Sequence, residues 1–328
     1  MKKILCLSLA LLLIFGTVVL TGCKKEENLK LGLGIHSYYS KATNATEDAN
    51  GAGEAVSTVA AVLLDSEGKI VKCELDCADN TVEYTAEGKF ISKDSFATKY
   101  ELGNNYGMKK AGFAKEWFEQ ADAFEALTVG KTIDGVKALM SDNGKGNSDV
   151  ISAGCTIYVS DFIPAIEKAV SNAKDSGATA SHTLKIGTVT EQEGTDATDK
   201  KAGSIELTTS FVAAVTDADG KVVASVTDCV SPKFTFDTKG VSSTDTKAAL
   251  KSKLELGAAY GMKSPYGSKT EWFEHAAAFD ATCVGKTSSE IAGLATNEGK
   301  AVEALQNAGC TINVNGMVKA AVKATKVG

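Results

Sequence analysis

The chain has 328 residues, 44% hydrophobic and 23% charged, with 31 Gly and only 3 Pro. Those values describe globular material of about two domains and exclude collagen, a disordered tail and a multi-span membrane protein. All 35 basic side chains are lysine, and 41 acidic ones leave a net charge of −6; an acidic chain without one guanidinium lacks the fork that grips phosphates and guanine edges, which argues against nucleic acid as a partner.

Residues 1–23 carry the strongest local signal. Lys2 and Lys3 are followed by an apolar run from Ile4 to Leu20, and Leu20-Thr21-Gly22-Cys23 closes it with small residues before a cysteine. A charged start, an apolar middle and a small-residue exit make a secretory signal, and about 17 apolar residues are too few for a comfortable membrane span. The ending resembles a bacterial lipobox, which implies that Cys23 is lipidated and that the membrane is a partner through this anchor, on the extracytoplasmic side. Residues 1–22 are therefore expected to be a signal peptide. Residues 23–50, opening with Lys24-Lys25-Glu26-Glu27, are expected to be a solvated tether near anionic headgroups.

The next elements read as a hairpin followed by helices. Val59–Leu64 and Ile70–Cys77 are β-branched apolar runs around Asp65-Ser66-Glu67-Gly68-Lys69, a turn signal. A helix is expected from about Ala114 to Ala126, with Trp117, Phe118, Ala121 and Phe124 on one stripe, then a short one near Ile133–Met140. Asp161–Ala173 closes the unit, with Phe162, Ile163, Ile166 and Val170 on one face.

The whole pattern then repeats. Glu101-Leu102-Gly103-x-x-Tyr106-Gly107-Met108-Lys109 recurs as Glu255-Leu256-Gly257-x-x-Tyr260-Gly261-Met262-Lys263, and 12 of 17 residues are identical between 116–132 and 271–287. Ala153-Gly154-Cys155-Thr156-Ile157 recurs as Ala308-Gly309-Cys310-Thr311-Ile312, and Cys77 matches Cys229. The period is far too long for a solenoid. The expectation is two tandem α+β domains, each a small, mostly antiparallel sheet packed with helices. Residues 51–174 are the first and 185–328 the second, joined by a linker at 175–184 rich in Gly, Ala, Ser and Thr.

Two cysteine pairs are duplicated, Cys77 with Cys229 and Cys155 with Cys310. In a secreted chain they fit one bridge per domain, Cys77–Cys155 and Cys229–Cys310, each closing a loop of roughly 80 residues and contributing about 4 kcal/mol in the chain-entropy model. Buried free thiols are the alternative. The three histidines, His36, His182 and His275, show no ligand spacing, so no metal site is expected.

The order of strand, Gly-Lys turn, strand, Leu-Gly turn, helix and small-residue segment before a terminal helix resembles the bacterial FMN-binding domain family. In that family a threonine in a segment of the type Asp-x-x-Ser-Gly-Ala-Thr is esterified to the FMN phosphate by a flavin transferase. The corresponding stretch here is Asp149-Val150-Ile151-Ser152-Ala153-Gly154-Cys155-Thr156. The core is altered and the threonine shifted by one place, and the second copy lacks both Asp and Ser. The resemblance implies FMN as cofactor, with Thr156, Thr311, Ser152 and Asp149 near its phosphate. Thr179, inside a literal Ser176-Gly177-Ala178-Thr179, is a further attachment candidate in the linker. Trp117, Trp272, Tyr106 and Tyr260 are candidates to stack on the ring, and backbone amides of 153–156 ahead of the last helix would cradle the phosphate.

Each of these features has a plainer reading. Trp117 and Phe118 at helical spacing are core residues, and Tyr106-Gly107 is a turn. Val129-Gly130-Lys131-Thr132 lacks the upstream Gly of a phosphate loop and is better explained as a helix ending at Gly130. No Ser-His-Asp constellation is present, and Glu101/Glu255 and Glu116/Glu271 read as solvated charges. The chain alone leaves two functions open: a surface flavin lipoprotein with a redox partner in extracellular electron transfer, or a binding or structural lipoprotein on the same scaffold without a cofactor.

Overall fold

A computed structural model describes residues 27–264 and 267–326. The expected signal peptide, the expected lipidation site Cys23 and the lysines beside it lie outside the described residues. Strands β1 (Leu29–Thr43), β2 (Gly51–Leu64), β3 (Ile70–Tyr84), β4 (Phe90–Ile91) and β5 (Lys174–Ala178) form one antiparallel sheet in the order β4-β3-β2-β1-β5. Strands β6 (Thr183–Thr195), β7 (Gly203–Thr216) and β8 (Val222–Val230) form a second, with β9 (Lys233–Phe236) continuing along β7 beyond β8. The chain is α+β, and each sheet has its own helices. The first copy carries α1 (Lys99–Leu102), α2 (Trp117–Thr128), α3 (Ile133–Lys137), α4 (Ser148–Ala153) and α5 (Phe162–Asn172). The second carries α6 (Lys253–Leu256), α7 (Trp272–Cys283), α8 (Ser288–Ala292), α9 (Glu303–Asn307) and α10 (Asn315–Thr325). Among the described residues no helix is long and apolar enough to cross a membrane.

The repeated hairpin turn forms for a local reason. Asp65 Oδ1 accepts from the backbone N–H of Glu67 (2.9 Å) and Lys69 (2.8 Å), and Asp217 does the same with Asp219 and Lys221 (both 2.9 Å). A short aspartate closing a turn onto its own backbone is what gives the Asp-x-x-Gly-Lys signal its meaning.

Two expected boundaries are corrected. The segment 23–50 is not a tether along its length, because residues 29–43 are β1, paired on one side with β2 and on the other with β5. Its alternating Leu29, Leu31, Leu33 and Ile35 are all buried, a period of two that marks a strand. The 175–184 linker likewise loses 174–178 to β5, and β6 begins at Thr183, so only 179–182 turns between copies. Small polar residues there reflect a short edge strand rather than a loop.

The sheets pack face to face. Leu31, Leu33, Val59, Ala61 and Leu63 meet Leu184, Phe211, Ala213 and Val215 in one buried cluster, and a second joins Val82 and Tyr84 to Phe234 and Phe236. Tyr84 and Phe236 stack with ring centroids 4.3 Å apart. The alternate residues, Ala60, Val62 and Leu64 in β2 and Val212 and Ala214 in β7, face the helices. The result is four layers, helix–sheet–sheet–helix, which explains why the central strands are apolar on both faces.

The last helix of each copy lies against its first strand because a glycine admits it. A Cβ on Gly34 would sit 2.3 Å from Ala165 O, and one on Gly187 would sit 1.9 Å from Ala320 O. Each last helix also reaches the other copy. Lys168 Nζ pairs with Glu255 at 2.5 Å while donating to Ile35 O at 2.7 Å, and Lys323 pairs with Glu101 while donating to Thr188 O at 2.8 Å. Glu101 and Glu255 are exposed, as expected, and also serve as capping-box residues and ion-pair partners of the other copy. Gly187→Ala places a methyl against a backbone that cannot yield, and urea unfolding should register a loss of about 2 kcal/mol or more; an unchanged midpoint would mean that α10 does not pack as described.

Candidate functional site

The residues shared by the two copies converge on one cleft in each. In the first copy a cavity of about 330 Å³ lies between β3, the turn after α1, and the starts of α2 and α5, with Cys77, Lys99, Tyr106, Met108, Trp117 and Ile157 among its lining residues. In the second a cavity of about 440 Å³ is lined by Cys229, Lys253, Tyr260, Met262, Trp272 and Ile312. These six pairs occupy corresponding places in the repeat, and Thr58 and Ser210 make a seventh, each hydroxyl meeting its cysteine sulfur (3.8 and 3.2 Å).

Buried carboxylates hold each cleft in shape. Asp76 Oδ1 accepts from Cys77 N (2.7 Å) and Tyr100 N (3.3 Å), and Asp228 Oδ1 from Cys229 N (2.7 Å) and Leu254 N (3.0 Å). This ties the strand bearing the cysteine to the helical turn bearing the lysine. Glu116, 2% exposed, accepts from Met108 N (2.8 Å) and Lys109 N (3.1 Å). Glu271 does the same for Met262 and Lys263 (3.1 and 3.2 Å). Glu116 and Glu271 are therefore buried clamps on the methionine turn, which corrects their expected solvated role.

The lysines crown the clefts. Lys99 Nζ lies 5.4 Å from the Tyr106 ring centroid, and Lys253 Nζ lies 5.1 Å from Tyr260 and 5.5 Å from Trp272. A cation held over aromatic faces is attracted by their quadrupoles. Burial alone would lower the pKa of Lys99, but Cys77 and Asp79 outweigh it and hold it above the ordinary lysine value. The thiols stay protonated: burial raises Cys77 to about 12 and Cys229 to about 11, despite Lys99 and Lys253 nearby. At neutral pH the charge opposing Lys99 is Asp79, 3.1 Å away.

Four of the nine candidate cofactor residues reach these clefts: Trp117 and Tyr106 in the first, Trp272 and Tyr260 in the second. Both tryptophans are buried, at 5% and 3% exposure, so they serve the core and form a cleft wall at once. The phosphate candidates do not join them. Asp149 and Ser152 lie exposed on α4, and the Ala-Gly-Cys-Thr segment is the C-terminal end of that helix, with Gly154 at φ 98. Its amides are already engaged, Gly154 N with Ile151 O, Cys155 N with Val150 O, and Thr156 N with Gln120 Oε1. The Thr156 hydroxyl also bonds Gln120, and Thr311 N meets His275 Nδ1 at 3.3 Å. A helix C-terminus with its N–H groups spent carries the wrong end of the dipole for a phosphate. Thr179 sits in the turn between copies, bonded to Ser181 and His182.

The expected disulfides are absent. Cys73, Cys77, Cys155, Cys229, Cys283 and Cys310 are all free and buried. Cys77 lines the cleft against Thr58, and it shares one buried cluster with Cys155 without a bond between them. Duplication reflected shared packing and not pairing. No group of His, Cys, Asp or Glu among the described residues could hold a metal ion.

Lys99/Lys253 and Met108/Met262 were within reach of the sequence. The repeated motif extends two residues upstream, Thr98-Lys99-x-Glu101 against Ser252-Lys253-x-Glu255, and that extension was the signal. Nothing in the sequence places these side chains beside Cys77 or Cys229.

The chain matches no family model and no solved structure. A segment of 121 residues is 33% identical to a chlorophenol reductase of Desulfitobacterium hafniense. The match covers 33% of this chain and 36% of that protein, so the similarity spans about a third of either.

Two measurements check this description. Thiol titration should count six reactive groups from Cys73, Cys77, Cys155, Cys229, Cys283 and Cys310 in denaturant and almost none of them in the native protein, and a reductant should leave the unfolding midpoint unchanged; fewer thiols would restore a bridge. Burial also raises Asp76 to about 6, Asp228 to about 7 and Glu125 to about 9. A carboxyl raised on folding contributes its stability fully below its unfolded value, near pH 4, and loses it as pH climbs through the folded one. Stability should therefore fall between about pH 4 and pH 9, by on the order of 3 kcal/mol from Asp76 alone. Glu125→Gln, which keeps an acceptor for Leu75 N, should flatten the curve at its alkaline end; a profile that rises with pH would contradict the buried carboxylates.

Proposed function

We propose that this protein is a cell-surface lipoprotein whose paired clefts take planar aromatic ligands, a flavin foremost, in reductive electron transfer. The observation that carries the reading is the convergence of the duplicated Cys, Lys, Tyr, Met, Trp and Ile on the same cleft in both copies. Packing alone does not require a lysine, a tyrosine and a methionine to recur around open space. A small, largely preformed cleft with aromatic walls and a few placed polar groups is the usual form of a small-molecule site.

The residues fit a noncovalently held ring better than an esterified one. Trp117 and Trp272 offer apolar walls, Met108 and Met262 adaptable edges, and Lys99 and Lys253 a positive charge beside the ring. Thr156 and Thr311, whose surroundings are occupied by Gln120 and His275, stand apart, and the reading needs no flavin transferase. A flavin in such a cleft supplies one- and two-electron chemistry, which the protein tunes through nearby charge and exclusion of water. The similarity to a chlorophenol reductase supports a reductive role. The surface anchor rests on Lys2, Lys3 and the Leu20-Thr21-Gly22-Cys23 exit.

The test is direct because the chain has two tryptophans, one in each cleft. Titrating the full chain in detergent with riboflavin and FMN should quench tryptophan emission with saturation, with no covalent mass gained. Trp117→Phe and Trp272→Phe should each remove the response of one cleft. Saturable quenching of neither tryptophan by either flavin would sink the flavin reading and leave a surface module of another kind.

A further inference from the structure

The two clefts share a frame but differ in how their lysine is paired. In the first, Lys99 is neutralised by Asp79 at 3.1 Å, and Asp161, bonded by the Tyr38 hydroxyl at 2.9 Å, closes the opposite wall. In the second, Ser231 stands at the place of Asp79 and meets Thr208, while Gly316 stands at the place of Asp161 and leaves the space there to Glu191, whose Oε2 would lie 2.9 Å from a Cβ on Gly316. Among the described residues Lys253 has no carboxylate within ion-pair distance; its contacts are the faces of Tyr260 and Trp272. Two acids line this cleft: Glu191 is taken up by Asn315 and, at 4.0 Å, by Lys319, and Glu193 is exposed.

Bulk differs too: Phe113 and Tyr158 flank the first cavity, and the second is the larger, at about 440 against 330 Å³.

We propose that the second cleft takes a planar aromatic anion, with Lys253 as its counter-ion, while the first cleft, whose lysine already has an internal partner, takes no anion. This rests on the reading that the clefts hold aromatic ligands, and it assigns the charged ligand to one of them. The negative charge has two sources of the same chemistry, a flavin phosphate or a phenolate.

Single-tryptophan variants of the full chain separate the clefts: Trp117→Phe reports the second through Trp272, and Trp272→Phe reports the first through Trp117. Each is titrated with FMN against riboflavin and with pentachlorophenolate against phenol. The expected result is that Trp272 responds to the charged member of at least one pair more tightly than to its uncharged member, and that Trp117 does not discriminate. Lys253→Gln should weaken that binding about tenfold or more, the worth of a hydrogen bond to a charged group. Lys253→Arg should retain most of it, and Lys99→Gln should leave it unchanged, with unfolding midpoints confirming that each variant folds. Equal discrimination at Trp117, or indifference to Lys253→Gln, overturns the assignment while leaving aromatic binding intact. Silence of both tryptophans toward all four compounds overturns the assignment and removes the reading beneath it.

Discussion

The face-to-face contact of two sheets is the constraint on which the rest of this molecule depends. Each sheet is covered by helices on one side and by its sister on the other, so β2 and β7 carry long runs buried on both faces. An antiparallel sheet exposed on one face would alternate apolar and polar residues; here Val59-Ala60-Ala61-Val62-Leu63-Leu64 cannot alternate, because neither side meets water. Burying both faces removes far more apolar surface than one copy could alone, and apolar area removed from water is the main favourable contribution to folding. The reciprocal Lys168–Glu255 and Lys323–Glu101 pairs sit at the edge of this contact. Partly exposed pairs of this kind contribute little energy, but they align each last helix with the opposite capping turn.

That alignment is what connects the core to the clefts. Glu101 and Glu255 belong to the same short helices whose first residues are Lys99 and Lys253. Asp76 and Asp228 bind those helices to the cysteine strand, and Glu116 and Glu271 bind the methionine turn to the tryptophan helix. Three carboxylates per copy thus hold loop-borne side chains against a rigid sheet. A binding site built on loops needs such supports to keep its geometry. Of these carboxylates Asp76, Asp228, Glu116 and Glu271 are buried, and Glu101 and Glu255 are exposed.

Duplication also frees the copies to diverge where folding does not restrain them. The framework residues Asp, Glu, Trp and Gly are shared, whereas Asp79 and Asp161 of the first cleft become Ser231 and Gly316 in the second. Pro232 interrupts the second copy's outer strand and splits it into β8 and β9, since proline removes a ladder donor. Its counterpart β3 runs unbroken from Ile70 to Tyr84. Differences of this kind change charge and width at the cleft and leave the four-layer core untouched.

The sequence by itself determined what depends on neighbours along the chain. The Asp-x-x-Gly-Lys turns, the helical stripe of Trp117, Ala121 and Phe124, the α+β class and the tandem repeat were legible because spacing and local hydrogen bonding decide them. Only the tertiary structure decided which faces meet. It made residues 29–43 a central strand and not a tether, since a Leu-x-Leu-x-Leu-x-Ile run needs a partner strand to reveal its role. It kept Cys77 and Cys155 as separate thiols, because duplicated residues share an environment and need not share a bond. It drew Lys99, Tyr106, Met108 and Trp117 into one cleft while leaving Thr156 at a helix C-terminus, and it paired Lys99 of α1 with Asp79 of β3. Charge neutralisation and cavity shape arise between elements distant in sequence, and no periodicity along the chain encodes them.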